Sequence, residues 1–364
     1  MKWSWKIARL WDIDVYVHAT FVLIIGWVAY SYWVQFQRVN AVVGGVLYIL
    51  ALFGCVVLHE YGHALMARRF GVKTRDITLY PIGGVARLER IPEKPIEELW
   101  VALAGPAVNV VIAALLVAYL VATGGLVPSS MLSLTTGDFL PRLLAVNLLL
   151  VAFNLLPAFP MDGGRVLRAI LAMRMDHVRA TQIAATVGQG MALLFGFIGL
   201  FRDPVLLFIA FFVWIGAEQE ASMARIKHAL GGIPVSRAMQ TNYQTLSPRD
   251  SLGRAVELIL SGSQHDFPVM EDEQVVGILE RETLIKALTT GGQDQPVTTT
   301  MRRDLPQVDS HEMVEHALAR LQESGAKTLP VTHGGRLAGL ITSENITEFL
   351  MIRSALRAAP GGAV

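Results

Sequence analysis

Before about residue 222 the chain carries six apolar stretches, at about 17–37, 41–66, 97–123, 138–157, 180–201 and 204–221; the remainder is of ordinary polarity. Each approaches the roughly 20 residues that a helix needs to cross a bilayer. In lipid only helices and closed barrels satisfy every backbone polar group, so these stretches predict a bundle of six transmembrane helices over residues 1–222. The stretch at 180–201 is the weakest, because it contains Thr181, Gln182 and Thr186 and four glycines. The overall hydrophobic content of 53% is too high for one soluble protein of 364 residues and agrees with this division. A net charge of +1 argues against nucleic acid as a partner.

Basic residues orient the bundle. Lys2, Lys6 and Arg9 precede the first stretch; Arg68, Arg69, Lys73, Arg75, Arg87, Arg90 and Lys94 follow the second; Arg165, Arg168, Arg174 and Arg179 follow the fourth. The loop from Gly124 to Asp138 has no basic residue, and the other two opposite-side turns offer only Arg38 and Arg202. The positive-inside rule then places both termini in the cytoplasm of a cell whose inner membrane holds the bundle. The N-terminal segment is amphipathic and has no small-residue cleavage site after an apolar core, so no cleaved leader is expected.

Residues 59–63 read His-Glu-Tyr-Gly-His inside the second apolar stretch. Two histidines four apart share one helix face and can ligate one metal, while Glu60 beside them can serve as general base. Polar groups at lipid depth are costly unless they have a use. From Arg68 at the interface, His63 lies roughly 7 Å and His59 roughly 13 Å along the helix, below the cytoplasmic surface yet short of the bilayer centre. Cys55, the single cysteine, cannot form an internal disulfide; it either packs or faces the metal.

A tetrahedral zinc needs a third protein ligand. Asp162 in Asn-Leu-Leu-Pro-Ala-Phe-Pro-Met-Asp-Gly-Gly-Arg (154–165) follows an apolar stretch broken by Pro157 and Pro160, so its carboxylate can leave the helix line. The alternative is an N-cap for a helix from Gly163 to Met175. The predicted side, shared with His59 and His63, favours ligation. Between these motifs, Thr74 to Arg90 alternates apolar and polar residues around Gly83-Gly84, predicting a hairpin that either dips into the membrane beside the site or lies in the cytoplasm.

This set resembles the site-2 protease family of intramembrane zinc metalloproteases over residues 14–221, through His59-Glu60-Tyr61-Gly62-His63, Gly105 and Asn109 of Ala-Gly-Pro-Ala-Val-Asn, and Asn154, Pro157, Pro160, Asp162, Gly163 and Gly164. The family more often has leucine at the position of Met161. The resemblance implies zinc ligands at His59, His63 and Asp162, a catalytic base at Glu60, and Asn154 near the scissile carbonyl or attacking water. For Asn109 it implies helix packing or hydrogen bonding first and catalytic contact second. The implied substrate is a single-span or hairpin transmembrane protein cut near the cytoplasmic face. Its scissile segment must unwind, and an edge strand near Gly83-Gly84 would hold it extended.

After a connector at 223–234, the soluble part repeats itself at an offset of 62: Ala238-Met239 as Thr300-Met301, Phe267-Pro268-Val269 as Leu329-Pro330-Val331, and Gly277-Ile278-Leu279 as Gly339-Leu340-Ile341. The repeats, 235–294 and 295–353 with a tail at 354–364, are each expected to hold a helix such as Leu252 to Ser261, two strands and a closing helix. They resemble a tandem pair of CBS domains, an α/β module that in other proteins senses adenine nucleotides of ATP or AMP type and dimerises. Met239, His265, Asp266, Pro268 and Thr342 are the implied nucleotide contacts. The acidic ribose-binding residue of that family is replaced by Thr283 and Asn345, and Glu280 stands where repeat two has the family's hydroxyl, Thr342. A dimerising platform without ligand is the alternative. The whole chain is therefore expected to be a multi-pass α-helical membrane domain with a membrane-associated hairpin, plus a soluble α/β pair that regulates it. A CBS-regulated transporter is the rival from another class, and an inactive binding relative a third reading.

Overall fold

The computed structural model describes residues 3–81, 83–89, 92, 94–124, 138–304 and 306–358. Lys2, Ile82, Arg90, nearly all of the loop between Gly124 and Asp138, and residues 359–364 of the expected tail lie outside the described residues. The chain divides into two units, Met1–Ala224 and Arg225–Val364.

The first unit opens with strands β1 (Ser4–Leu10) and β2 (Ile13–His18), then helices α1 (Thr20–Phe36) and α2 (Val39–Arg69), strands β3 (Thr74–Tyr80) and β4 (Gly83–Leu88), and helices α3 (Pro95–Ala122), α4 (Phe139–Asn154), α5 (Asp162–Ala172), α6 (His177–Phe201) and α7 (Pro204–Leu230). Four of these, α2, α3, α6 and Pro204–Ile226 of α7, are long and apolar enough to cross a membrane. Helices α1 and α4, of 17 and 16 residues, are apolar but shorter. At 1.5 Å per residue they rise about 25 Å against a hydrocarbon core of about 30 Å. Side chains such as Leu193, Phe197 and Phe201 on α6 are 65%, 66% and 73% exposed, the reverse of a water-soluble helix.

The N-terminal arm, expected only to be amphipathic, forms half of a four-stranded sheet in the order β1-β2-β3-β4. Strands β1 and β2 are joined through Trp11 and Asp12, both left-handed at φ 49° and 64°, the two-residue turn whose twist suits a hairpin. Strand β2 then runs parallel to β3, and β3 pairs antiparallel with β4 from Thr74↔Leu88 to Tyr80↔Gly83. The reversal falls before Gly83, so Gly83 and Gly84 begin β4 rather than form the turn. Ile13, Val15 and Ile77 of the sheet pack on Tyr61 and Ala64, fixing the sheet against the helix that carries the two histidines.

In the second unit α8 (Leu252–Ser261), β5 (Phe267–Glu271), β6 (Gln274–Leu279) and α9 (Arg281–Gly291) are followed by β7 (Val308–Asp309), α10 (Val314–Ser324), β8 (Thr328–His333), β9 (Arg336–Thr342) and α11 (Ser343–Ala358). Much of the segment read as a connector is helical, because Met223 to Leu230 contains no helix breaker before Gly231-Gly232. The repeat is visible in the pairing. The parallel bridge Leu246↔Val269 answers β7's Val308↔Val331, and Ile278↔Arg302 answers Gln240↔Leu340. Each repeat closes over its own apolar core, one around Phe267 and Leu284, the other around Leu329 and Ile341.

Candidate active site

His59 and His63 project from one face of α2 into the unit's interior, each 6% exposed. Asp162 reaches them from the first residue of α5, and the ligand atoms of the three side chains lie within 4.8 Å of one another. Asp162 Oδ2 is 3.1 Å from His59 Nε2 and 3.2 Å from His63 Nε2, and the two Nε2 atoms are 3.1 Å apart. Met161, not Asp162, stands at the N-cap of α5. The Asp162 carboxylate contacts the two histidines instead.

The segment between α4 and α5 aims that carboxylate. Phe159, fully buried among Ala184, Ala185, Ala217 and Ala221, anchors it to α6 and α7. Helix α3 approaches the cluster through Gly105, where a Cβ would overlap the His63 ring and lie 2.7 Å from His59 Nε2. Only glycine leaves room there for anything beside the two nitrogens.

The other ring nitrogens are engaged elsewhere. His63 Nδ1 is 2.7 Å from the Val101 carbonyl, an acceptor only, so Nδ1 carries a proton and donates there, and Nε2 is the nitrogen that faces Asp162. His59 reaches the same state through two amides. Asn147 Nδ2 donates to the Leu143 carbonyl at 2.8 Å, which turns Asn147 Oδ1 toward Asn109. Asn109 Nδ2 donates to that oxygen at 2.8 Å, leaving Asn109 Oδ1 2.5 Å from His59 Nδ1. Both Asn109 and Asn147 are fully buried. Two histidines that turn Nε2 toward a carboxylate form a donor set suited to zinc, with the outer hydrogen bonds that zinc-binding histidines use. The residues present therefore fit the metal.

Glu60, one residue after His59, is half-buried; its Oε2 accepts the Ala86 N–H of β4 at 3.1 Å. Gly84 approaches the same side chain, and a Cβ there would lie 2.8 Å from Glu60 Cγ. Asn154 ends α4 and is half-buried. Cys55 packs with Tyr48 and Leu143 and accepts from Asn147 Nδ2 at 3.5 Å, so it belongs to the packing around the site. Asn147 and the Val101 carbonyl were not anticipated. Asn147, seven residues before Asn154 in an apolar helix, was the one visible sign.

In the second unit a cleft of about 650 Å³ is lined by residues that include His265, Asp266, Lys327, Thr342 and Asn345. Asp266 is buried and accepts from Arg281 N–H at 2.9 Å and Thr328 Oγ1 at 2.6 Å. Lys327 pairs with Glu282 at the rim, holding that carboxyl below its usual range and raising its own ammonium. Of the other expected contacts, Met239 packs against the core of repeat two and Pro268 lies within β5.

The profile of peptidase family M50 matches residues 47–138 and 125–196, and that of the CBS domain matches 235–290 and 297–352. The chain is 31% identical over 361 residues to "Zinc metalloprotease MJ0392" of Methanocaldococcus jannaschii, covering 97% of each. It is 28% identical over 372 residues to a candidate zinc metalloprotease of Synechocystis sp., sll0528, covering 96% of each. The solved site-2 protease from Methanocaldococcus jannaschii aligns at 36% identity and a TM-score of 0.44, over 60% of this chain and 95% of that one.

Proposed function

The chain belongs to peptidase family M50, the site-2 protease family of zinc metalloproteases, and on that premise we propose that it cuts a membrane-spanning protein near the cytoplasmic face, with its CBS pair regulating access. That it is an integral membrane metalloendopeptidase with tandem CBS domains follows from its family; six spans with both termini cytoplasmic, the residue roles and the regulation are our reading. The observation that carries it is the convergence of His59 Nε2, His63 Nε2 and Asp162 Oδ2, with both Nδ1 atoms engaged elsewhere.

His59, His63 and Asp162 would hold one zinc ion per chain. Zinc, when bound, supplies Lewis-acid polarisation of the scissile carbonyl and acidifies the attacking water. Glu60 takes up the water's proton and returns it to the leaving amine. Asn154 donates to the developing oxyanion, a contact worth about 3–4 kcal/mol where one donor is removed in other enzymes. Strand β4 is an edge of the sheet, with Val85 48% exposed, and receives the unwound substrate by strand addition.

The cleft of the second unit, at about 650 Å³, is of a size that takes a small ligand. An adenine nucleotide of ATP or AMP type occupies it in this reading, with His265, Asp266 and Thr342 among its walls, and the CBS pair also joins two chains as a homodimer. Metal content of the purified protein in detergent tests the central claim. About one zinc per chain is expected for wild type and for Glu60→Gln, with zinc much reduced in Asp162→Ala and cleavage abolished in both variants. Wild type that stays free of zinc after resupply would sink the reading.

A further inference from the structure

Arg168 lies six residues after Asp162 on α5 and is 2% exposed within the membrane unit. A buried cation is retained only when it is paired, and its partners come from two other helices. Nε donates to Glu98 Oε1 on α3 at 2.7 Å, and Nη2 lies 2.6 Å from that same oxygen as an ion pair rather than an aligned hydrogen bond. Nη1 donates to Glu220 Oε2 on α7 at 3.0 Å. The guanidinium carbon also sits 5.1 Å from the centre of the Phe159 ring, the buried anchor of the segment leading to Asp162.

Helix α5 has only 11 residues and begins with Asp162, so its own length does little to fix where that carboxylate points. Phe159 holds the chain before Asp162, and Arg168 holds it after. A ligating group must be kept within about 0.5 Å of its working position. The planar guanidinium fork, engaging carboxylates from α3 and α7 at once, is a rigid way to keep it there. No member of this trio touches His59 or His63 among the described contacts, so it acts on the site through α5.

We propose that Arg168 is a positioning residue: its pairs with Glu98 and Glu220 hold α5 in the placement that directs Asp162 Oδ2 at the two histidine Nε2 atoms, so zinc affinity is set in part from α3 and α7. The inference rests on the zinc reading above. Zinc affinity by chelator competition tests it on the full-length protein in detergent, for wild type, Arg168→Lys, Glu220→Gln and Asp162→Ala, with the melting temperature of each metal-free protein recorded. Arg168→Lys keeps the charge and loses the fork. Glu220→Gln keeps the shape at the partner whose side chain is 27% exposed, where folding is safest.

Both are expected to raise the zinc Kd about 10- to 100-fold, the range for groups that orient ligands from behind, and Asp162→Ala to lose zinc. A Kd within about threefold of wild type in both variants overturns the proposal even if the melting temperature falls, since Arg168 then only supports the fold. Wild type without zinc, or Asp162→Ala that retains it, defeats the zinc reading itself and the proposal with it.

Discussion

Glu60 Oε2 accepts the backbone N–H of Ala86 at 3.1 Å, so the acidic residue of the histidine helix is tied to the edge strand of the sheet. Nearby, Gly84 has no side chain where a Cβ would meet Glu60 Cγ at 2.8 Å and Val56 Cγ1 at 3.1 Å. Both Val56 and Glu60 sit on a packed helix, so Gly84→Val must push Glu60 aside. Cleavage of a model transmembrane substrate should fall by about 10- to 1,000-fold, within the contribution of a placed general base. Zinc content should stay at the wild-type level, because His59, His63 and Asp162 are not touched by that Cβ. Loss of zinc together with activity would mean the variant has disturbed the site as a whole.

The Leu143 carbonyl sets the polarity of the amide chain that ends at His59. Asn147→Leu breaks it at the middle, leaving Asn109 free to turn its Nδ2 toward His59 Nδ1. His59 would then lose the acceptor that keeps its proton on Nδ1. Zinc affinity is expected to fall about 10- to 100-fold. Chelator competition measures it, and Asn147→Gln is the wrong length to restore the bond to Leu143. An unchanged affinity would show that His59 needs no help from α4.

The candidate ligands were legible because each carries its own local mark, although Asp162 is 103 residues from His59: His59 and His63 share a face by spacing alone, and Asp162 is set apart by the prolines that break its helix. The repeat was legible because 62 is a constant offset. What was not legible depends on partners distant in sequence. Asn147 reads as one polar residue in an apolar helix until Asn109, 38 residues away, meets it. Arg168 reads as a cytoplasmic charge until Glu98 and Glu220, 70 and 52 residues away, surround it. The strands β1 and β2 were missed because Trp5, Lys6, Ile7 and Arg9 alternate as an amphipathic arm would, and only pairing with β3 makes a sheet of them.

Asp266 and Thr328 stand at equivalent places in the two repeats, 62 residues apart, and meet through a buried hydrogen bond of 2.6 Å. Thr328→Val keeps the volume and removes the donor, leaving Asp266 with the Arg281 N–H. The second unit is expected to lose about 1–3 kcal/mol, the cost of leaving a buried acceptor unpaired. Thr328→Ser should recover most of it. Chemical denaturation followed by a probe in the second unit measures both, and equal stability of the Val and Ser variants would show that the bond is not what holds the repeats in register.

Removing the metal should act on one unit only. The three candidate ligands come from α2 and α5, both within Met1–Ala224. A ligand that binds only the folded state stabilises it by mass action, by about 4 kcal/mol when free zinc stands 1,000-fold above its Kd. Chelation of the full-length protein in detergent should therefore lower the thermal transition of the membrane unit and leave that of Arg225–Val364 in place. In Asp162→Ala the chelator should shift neither, since the zinc it would remove is already lost. A transition of the second unit that moved with zinc would relocate the metal to Arg225–Val364 and leave the His59, His63 and Asp162 cluster without its proposed role.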